Sequence, residues 1–381
     1  MVGREQRAGS DDASPLEGEV AAHRNARAER DEDSSQNASR SFAPLPDPSA
    51  QGEQEGAEQA AKHKKKKRDV HGWIVLDKPV GMTSTHAVAV LKRLFGAKRV
   101  GHAGTLDPLA SGCLPIALGE ATKTVPFVVD GRKNYLFTVR WGEERNTDDA
   151  EGPVIASSAL RPDAAAIRAL LPRFVGTIEQ VPPRFSAVKI AGERAYDLAR
   201  DGEVVELKPR AVEIHRLELT ETPDPDHTVF VCECGKGTYV RALARDIGRA
   251  LGALGHVAAL RRSRVGPFGE GDMILLERIE ALCHRAAAGG EKLNLADTLL
   301  PIETALDDIP ALAVSEADAA RLKRGQAVLL RGRDASVIRG MVAVACGGQI
   351  VAIAEGDRGE IVPKRVFNLT GIVGRAGRKA N

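Results

Sequence analysis

Residues 101–112 read GHAGTLDPLASG and hold one carboxylate, Asp107, among residues that restrict a backbone. Gly104 and Thr105 precede it and Pro108 follows it, with no second acid in the stretch. An aspartate in a turn ordinarily bonds its own backbone. Here the apolar run CLPIAL begins at Cys113 and would anchor the loop from behind, holding the carboxylate in one place without spending it on a cap. An ionised carboxylate can serve as a nucleophile, and a neighbouring guanidinium favours the ionised form. Covalent chemistry by a lone aspartate is the reading this spacing supports, beside the plainer one of a structural turn residue.

Other chemistries fit less well. Cys232 and Cys234 form a C-x-C in a predicted strand, but no second Cys or His pair follows at zinc-finger spacing. Cys283 and His284 are adjacent, so structural cysteines and no metal are expected. Neither G-x-x-x-x-G-K-[ST] nor a strand-linked G-x-G-x-x-G occurs, which argues against ATP and NAD. The nucleophile elbow G-x-S-x-G is absent. Glycoside hydrolysis uses two carboxylates, and the pair Asp148–Asp149 in RNTDDAEG reads more simply as caps or surface charge.

The elements that would position Asp107 can be read from pattern. The β-branched run Trp73–Leu76, ended by Pro79 and Gly81, predicts a strand and a turn. TSTHAVAVLKRLFG predicts a helix with Ser/Thr caps and a closing Gly96. CLPIALG predicts a buried strand and EATKTVPFV a short helix, and NYLFTVRWG alternates as a strand. DAAAIRALLPRFVG reads as helix, RFSAVKI as strand and ERAYDLARDG as a short helix. EIHRLEL and TVFVCEC read as strands. In GTYVRALARDIGRALG the apolar residues 240, 243, 247 and 251 form one helical face, with Thr238 as the cap. Arg241 lies in the first turn and off that face. The chain is helical and connecting from about 275 to 308, then reads as short strands to about 370. Strands and helices mix without strict alternation, so the fold class is α+β.

Composition sets the limits. The 381 residues suffice for two domains with a sizeable core. No apolar run reaches membrane-spanning length and no cleavable leader is evident. Five scattered Cys fit a reducing compartment, so a cytoplasmic location is expected. Residues 1–60 carry six Arg against thirteen Asp and Glu and one aromatic, a composition that reads as disordered. KHKKKKR follows at 62–68, either a solvated linker or an RNA-contacting arm. The expected organisation is a charged extension over 1–70, a catalytic domain over 71–305 and a small β-rich domain over 306–381.

At this point several segments, in order, resemble one family. GHAGTLDPLASGCLPIALGEATK is similar to the signature of the tRNA pseudouridine synthase B family, the tRNA pseudouridine-55 synthases. WIVLDKPVGMTS resembles its Lys-Pro motif, YLFTVRWG with TDDAEG its tyrosine strand and acidic turn, and VPPRFSAVKIAGERAYDLAR its middle segment. GKGTYVRALARDIG and HVAALRRSRVGPF resemble its arginine helix and closing motif. The likeness runs across residues 72–268. It departs at Asn146, where the family's acidic turn often carries Asp.

The resemblance implies a cofactor-free isomerase that detaches uracil at N1 in the TΨC loop of tRNA, rotates it and rejoins it through C5. The fold it implies is a mixed, mainly antiparallel sheet with a small C-terminal RNA-binding domain. It makes Asp107 the nucleophile, Tyr135 the residue stacked on the target base and Arg241 the partner of Asp107. It places Asp149 on that arginine, His102 beside the everted nucleotide, and Tyr239 and Leu260 in the pocket lining. Lys78 matches the Lys-Pro motif and is grouped with the substrate contacts, a structural role being its other reading. Flipping a base costs a few kcal/mol, and one aromatic stack returns about 1–3 kcal/mol. Phosphate contacts would come from Lys92, Arg93, Lys98 and Arg99 and from Arg261, Arg262 and Arg264. The partner is the TΨC stem-loop of tRNA, met by a monomer and without a membrane. Two alternatives stand beside this: a guide-RNA-dependent, dyskerin-like subunit, and an RNA-binding or tRNA-folding protein.

Overall fold

In the computed structural model the apolar run at Trp73–Leu76 lies inside strand β1 (Val70–Lys78), buried throughout except at Asp77. Residues 67–186, 189–190, 193–194, 207–287, 295–330 and 338–374 are described, all within the unit Lys64–Asn381. The charged extension and most of KHKKKKR lie outside them. Helix α1 (Ser84–Phe95) starts where Thr83 accepts the His86 N–H and stops at Gly96, whose φ of 60° suits a residue without a side chain. Strands β2 (Val100–His102) and β3 (Ser111–Leu118) frame the Asp107 loop. A 3-10 turn over Gly119–Thr124 leads into α2 (Val125–Asp130) and then β4 (Lys133–Trp141).

A hairpin of β5 (Glu143–Arg145) and β6 (Val154–Ser157) carries the acidic turn, and α3 (Ala164–Leu170) follows under an Asp163 cap. Next come β7 (Gly176–Gln180) and the two-residue pair β8 (Lys189–Ile190) and β9 (Glu193–Arg194). Of the strand expected over RFSAVKI, Lys189 and Ile190 are extended, Arg184–Ser186 are not, and residues 187–188 lie outside the described residues. Arg184–Ser186 bend instead, because the carbonyls of Val181 and Phe185 accept from arginines rather than from a neighbouring strand. Of the helix expected over ERAYDLARDG, Glu193 and Arg194 are extended and the remainder lies outside the described residues.

Strands β10 (Arg210–Asp224) and β11 (His227–Cys234) precede α4 (Val240–Leu251). Thr238 is not its cap. The side chain of Gln180 meets the helix start instead, accepting from the Tyr239 N–H at 2.9 Å and donating to the Tyr239 carbonyl at 3.2 Å. Strands β12 (Gly255–Val265) and β13 (Met273–Leu275) and helix α5 (Leu276–Ala287) complete the larger part.

Its ten-stranded sheet runs β13-β1-β3-β12-β4-β11-β10-β7, with β2 on β3. Pairing is antiparallel except between β1 and β13 and between β3 and β12, apart from one further strand described next. Beyond it lie β14 (Ala311–Ala313), α6 (Glu316–Lys323), β15 (Val328–Leu329), β16 (Gly340–Cys346), β17 (Gln349–Asp357) and β18 (Glu360–Val366). These strands form a separate five-stranded sheet, and β19 (Ile372–Val373) then returns to pair in parallel with β1.

The sheet is covered on two sides. One apolar cluster joins α1, α4 and the faces of β1, β3, β4 and β11 through Leu91, Phe95, Leu243, Ile247, Phe137 and Phe230. A second joins Trp73, Phe268 and Ile302 to Ile350, Ile353 and Phe367 of the C-terminal part. The Asp107 loop opens at the edge of the first.

Candidate active site

The loop from Ala103 to Ala110 has its backbone fixed from three directions. From α1, Ser84 accepts the Leu106 N–H and donates to the Leu106 carbonyl, both at 2.9 Å. From β1, the Lys78 ammonium reaches the carbonyls of Pro79, Met82 and Pro108, and the Gly81 N–H meets the Pro108 carbonyl at 2.8 Å. From β12, Arg262 donates to the carbonyls of Cys113, Thr105 and Gly104 at 2.8, 3.2 and 3.1 Å. Asp107 opens a four-residue turn closed by the Ala110 N–H on its carbonyl at 3.1 Å, with Pro108 at the position that favours proline. Gly112 is required where the loop joins β3. At its φ of 98° a Cβ would sit 2.3 Å from the Arg262 carbonyl.

The Asp107 side chain is not a cap. Its carboxylate takes a two-pronged bond from Arg241, with Nε donating to Oδ2 at 2.9 Å and Nη2 to Oδ1 at 3.2 Å. Arg241 projects from the start of α4, off its apolar stripe, and is itself held. It donates to the carbonyls of Thr147 and Phe185 at 2.9 and 3.0 Å and lies 3.4 Å from Asp149. Asp149 in turn accepts from the Thr147 hydroxyl at 2.6 Å and the Glu151 N–H at 3.1 Å. Arg241 and Asp149 are buried, whereas Asp107 keeps 32 % of its side chain exposed. Of the three charged side chains Asp107, Arg241 and Asp149, Asp107 is the one left partly exposed, and the forked geometry orients it.

Tyr135 stands on β4 opposite Cys232 of β11 and Arg262 of β12. Burial pushes its phenol up to about 12, opposed by the nearby charge of Arg262. Arg262 thus neighbours the tyrosine across β12 and β4 while its guanidinium holds the Asp107 loop. Leu260 is buried and faces Phe137 across β12 and β4. Tyr239 immediately precedes α4 and is half-buried, its phenol raised by burial. His102 ends β2 across from Ile116 of β3, a few residues ahead of Asp107.

Three of the expected substrate contacts have partners within the protein. Lys78 has no exposed surface and spends its ammonium on the carbonyls beneath the loop, so it supports the loop rather than lining an open site. Arg262 is buried at 2 % exposure and is no phosphate arm. Arg261 forks onto Asp77 at 3.0 and 3.2 Å and reaches Glu270, so its charge is already matched. Lys98 pairs with Asp69 at 2.7 Å, while Lys92, Arg93, Arg99 and Arg264 remain exposed. Cys232 and Cys234 are buried free thiols, and no metal-binding cluster of His, Cys, Asp or Glu occurs among the described residues.

Arg245 is the residue that pattern reading missed, and Arg262 the one it assigned to phosphate instead of to the loop. Both are buried guanidiniums, and a sequence offers little to separate a buried arginine from an exposed one.

Fold and site together define an α+β enzyme scaffold built around one oriented carboxylate. The architecture is shared with a solved H/ACA RNP bound to a substrate RNA containing 2′-deoxyuridine (TM-score 0.60, 24 % identity, 78 % of this chain and 85 % of that one), a likeness of fold alone. Residues 92–240 match the model of the TruB family pseudouridylate synthase N-terminal domain, and 241–307 that of the tRNA pseudouridylate synthase B C-terminal domain. Residues 310–367 match the C-terminal model of pseudouridine synthase II TruB. The chain is 73 % identical over 312 residues to a tRNA pseudouridine synthase B of Bradyrhizobium diazoefficiens, covering 82 % of this chain and 90 % of that one. It is 71 % identical over 311 residues to one of Rhodopseudomonas palustris, covering 82 % and 84 %. The chain belongs to the TruB family of pseudouridylate synthases.

Proposed function

We propose that this chain is a tRNA pseudouridine synthase, an isomerase that converts uridine 55 in the TΨC loop to pseudouridine with Asp107 as its nucleophile. In the reaction the C1′–N1 bond breaks, the uracil turns over, and a C1′–C5 bond forms. C5 gives up its hydrogen and N1 takes one, so the product is an isomer and no redox partner is consumed. Asp107 adds either to C6 of the base or to C1′ of the sugar, and both routes use the same oriented carboxylate. Tyr135 stacks on the everted base, and Arg241 holds the carboxylate with Asp149 behind it. His102, Tyr239 and Leu260 line the place the nucleotide occupies. Lys92, Arg93, Arg99 and Arg264 supply phosphate contacts, which make affinity fall with salt.

The observation that carries this reading is the forked bond from Arg241 to the one exposed member of a buried charge network, set in a loop that Ser84, Lys78 and Arg262 immobilise. The identity to tRNA pseudouridine synthase B relatives over four-fifths of the chain favours tRNA as substrate without a guide. The test is to incubate purified chain with an unmodified tRNA transcript, with no other RNA present, and map pseudouridine. Product at position 55 is expected; product elsewhere only, or only when a guide RNA is added, overturns the reading.

A further inference from the structure

Helix α4 presents Arg241, Arg245 and Arg249 four residues apart, which places them along one side. Each meets an acid from the β5–β6 hairpin. Arg241 lies 3.4 Å from Asp149, Arg245 donates to Asp148 at 2.8 Å, and Arg249 forks onto Glu144 at 2.8 and 2.5 Å. The rungs differ in surroundings. Arg249 is 53 % exposed, whereas Arg245 and Asp148 are 8 and 7 % exposed.

Asp148 is also the bend of the turn. Its φ of 60° lies in the left-handed region, which aspartate and asparagine tolerate better than other side chains. Its N–H meets the Arg145 carbonyl at 3.0 Å and its carbonyl accepts from Val257 of β12 at 3.1 Å. The residues on either side are those that hold Arg241, through the Thr147 carbonyl and the Asp149 carboxylate. Arg245 cannot follow a moving turn, because it is also bonded to the Val181 carbonyl at 2.8 Å and to Asp246 at 2.9 Å.

We propose that the buried Arg245–Asp148 pair is a positioning device for the reaction: it pins the left-handed residue of the acidic turn to α4 and so sets Thr147 and Asp149 against Arg241, and Arg241 against Asp107. The inference rests on Asp107 being the nucleophile. Neither member touches Asp107, so both act through Arg241. Burial pushes the Asp148 carboxyl up to about 6, against the pull of Arg245 and Arg241, with Glu144 raising it further and Arg249 lowering it. His256 packs on the same hairpin through the Glu143 carbonyl and is held below its usual range by burial. Because the carboxyl lies above its ordinary value of 3.8, the folded chain takes up this proton first as pH falls, and the ion pair is lost through about pH 6.

The test compares wild type, Asp148→Asn, Arg245→Lys and Arg245→Met in steady-state kinetics on tRNA transcript from pH 5 to 8. Asparagine keeps the left-handed turn and removes the charge. Asp148→Asn should lower kcat on the order of tenfold near pH 7.5 with KM changed by less than about twofold. It should also abolish the part of the fall in kcat that wild type shows through about pH 6. Arg245→Lys should recover most of what Arg245→Met loses. Amide hydrogen exchange at residues 146–150, measured without RNA, should be faster in Asp148→Asn and in Arg245→Met than in wild type. Wild-type kcat in Asp148→Asn at every pH, or unchanged exchange, overturns the inference. If wild type makes no pseudouridine, the functional reading fails and the catalytic part of the inference falls with it, while the exchange data still decide whether the pair pins the turn.

Discussion

Asp107 is the side chain whose removal should separate chemistry from binding. Asp107→Asn keeps the loop, since its backbone is held by Ser84, Lys78 and Arg262 rather than by the carboxylate. Pseudouridine formation should become undetectable, while tRNA affinity by filter binding should stay within about tenfold, because stacking and phosphate contacts survive. A loss of affinity as large as the loss of turnover would count against a chemical role. Lys78 gives a prediction of opposite kind. Burial pulls its ammonium down to about 8 from 10.5, opposed by the charge of Asp107. Below about pH 8 the lysine is charged in both folded and unfolded chains, and the cost of burying it is present in full. Between about 8 and 10.5 the unfolded chain binds more protons, so the contribution of Lys78 to stability rises with pH. The stability of wild type relative to Lys78→Met, from urea melts near pH 7.5 and 9.5, should therefore increase over that interval. A constant difference would mean that the ammonium does not shed its proton inside the fold.

At the scale of elements, the loop depends on contacts that arrive from separate parts of the chain. Ser84→Ala leaves α1 intact, because Thr83 caps it, but strips the Leu106 N–H and carbonyl of their buried partner. Unsatisfied buried groups cost about 1–3 kcal/mol each, so the midpoint of denaturation should fall accordingly, with kcat falling more than affinity. A wild-type midpoint in Ser84→Ala would show that Leu106 finds another partner. Much at this scale was legible beforehand. The sharp punctuation of α1 by Thr83 and Gly96, the alternation of HTVFVCEC and the apolar stripe of α4 each follow from local rules. Helix α6 was not legible, because among its eight residues Ala319 and Leu322 alone are buried, too few to write a stripe. The cap of α4 was misassigned because its real partner, Gln180, lies 59 residues away. Arg262 was misread for a related reason: in LRRSRV the three arginines look alike, and what distinguishes the middle one is three carbonyls supplied by a loop some 150 residues earlier. Local pattern gives elements. Which polar groups are buried depends on what the rest of the chain leaves unsatisfied.

At the scale of the whole unit Lys64–Asn381, the C-terminal sheet is built into the larger sheet's part rather than tethered to it. Ile350, Ile353 and Phe367 share a cluster with Trp73, Phe268 and Ile302. Glu120 accepts the Asn368 N–H at 2.8 Å, Glu303 accepts the Ile350 N–H at 3.0 Å, and Lys123 reaches the Val366 carbonyl at 2.6 Å. Strand β19 then pairs with β1, the strand that carries Lys78 to the loop. A chain ending after Asp308 would expose Trp73 and its neighbours and leave a β1 edge unpaired, two liabilities that favour association. It should be recovered largely as aggregate, or melt well below the full chain, and its soluble fraction should lose turnover as well as affinity because the support of the Asp107 loop is weakened. Thermal unfolding of the full chain should likewise be a single transition, coincident by tryptophan fluorescence and far-ultraviolet circular dichroism. A truncated chain that melts at the full-length temperature and turns over bound tRNA at the full-length rate would show instead that the C-terminal sheet contributes binding surface alone.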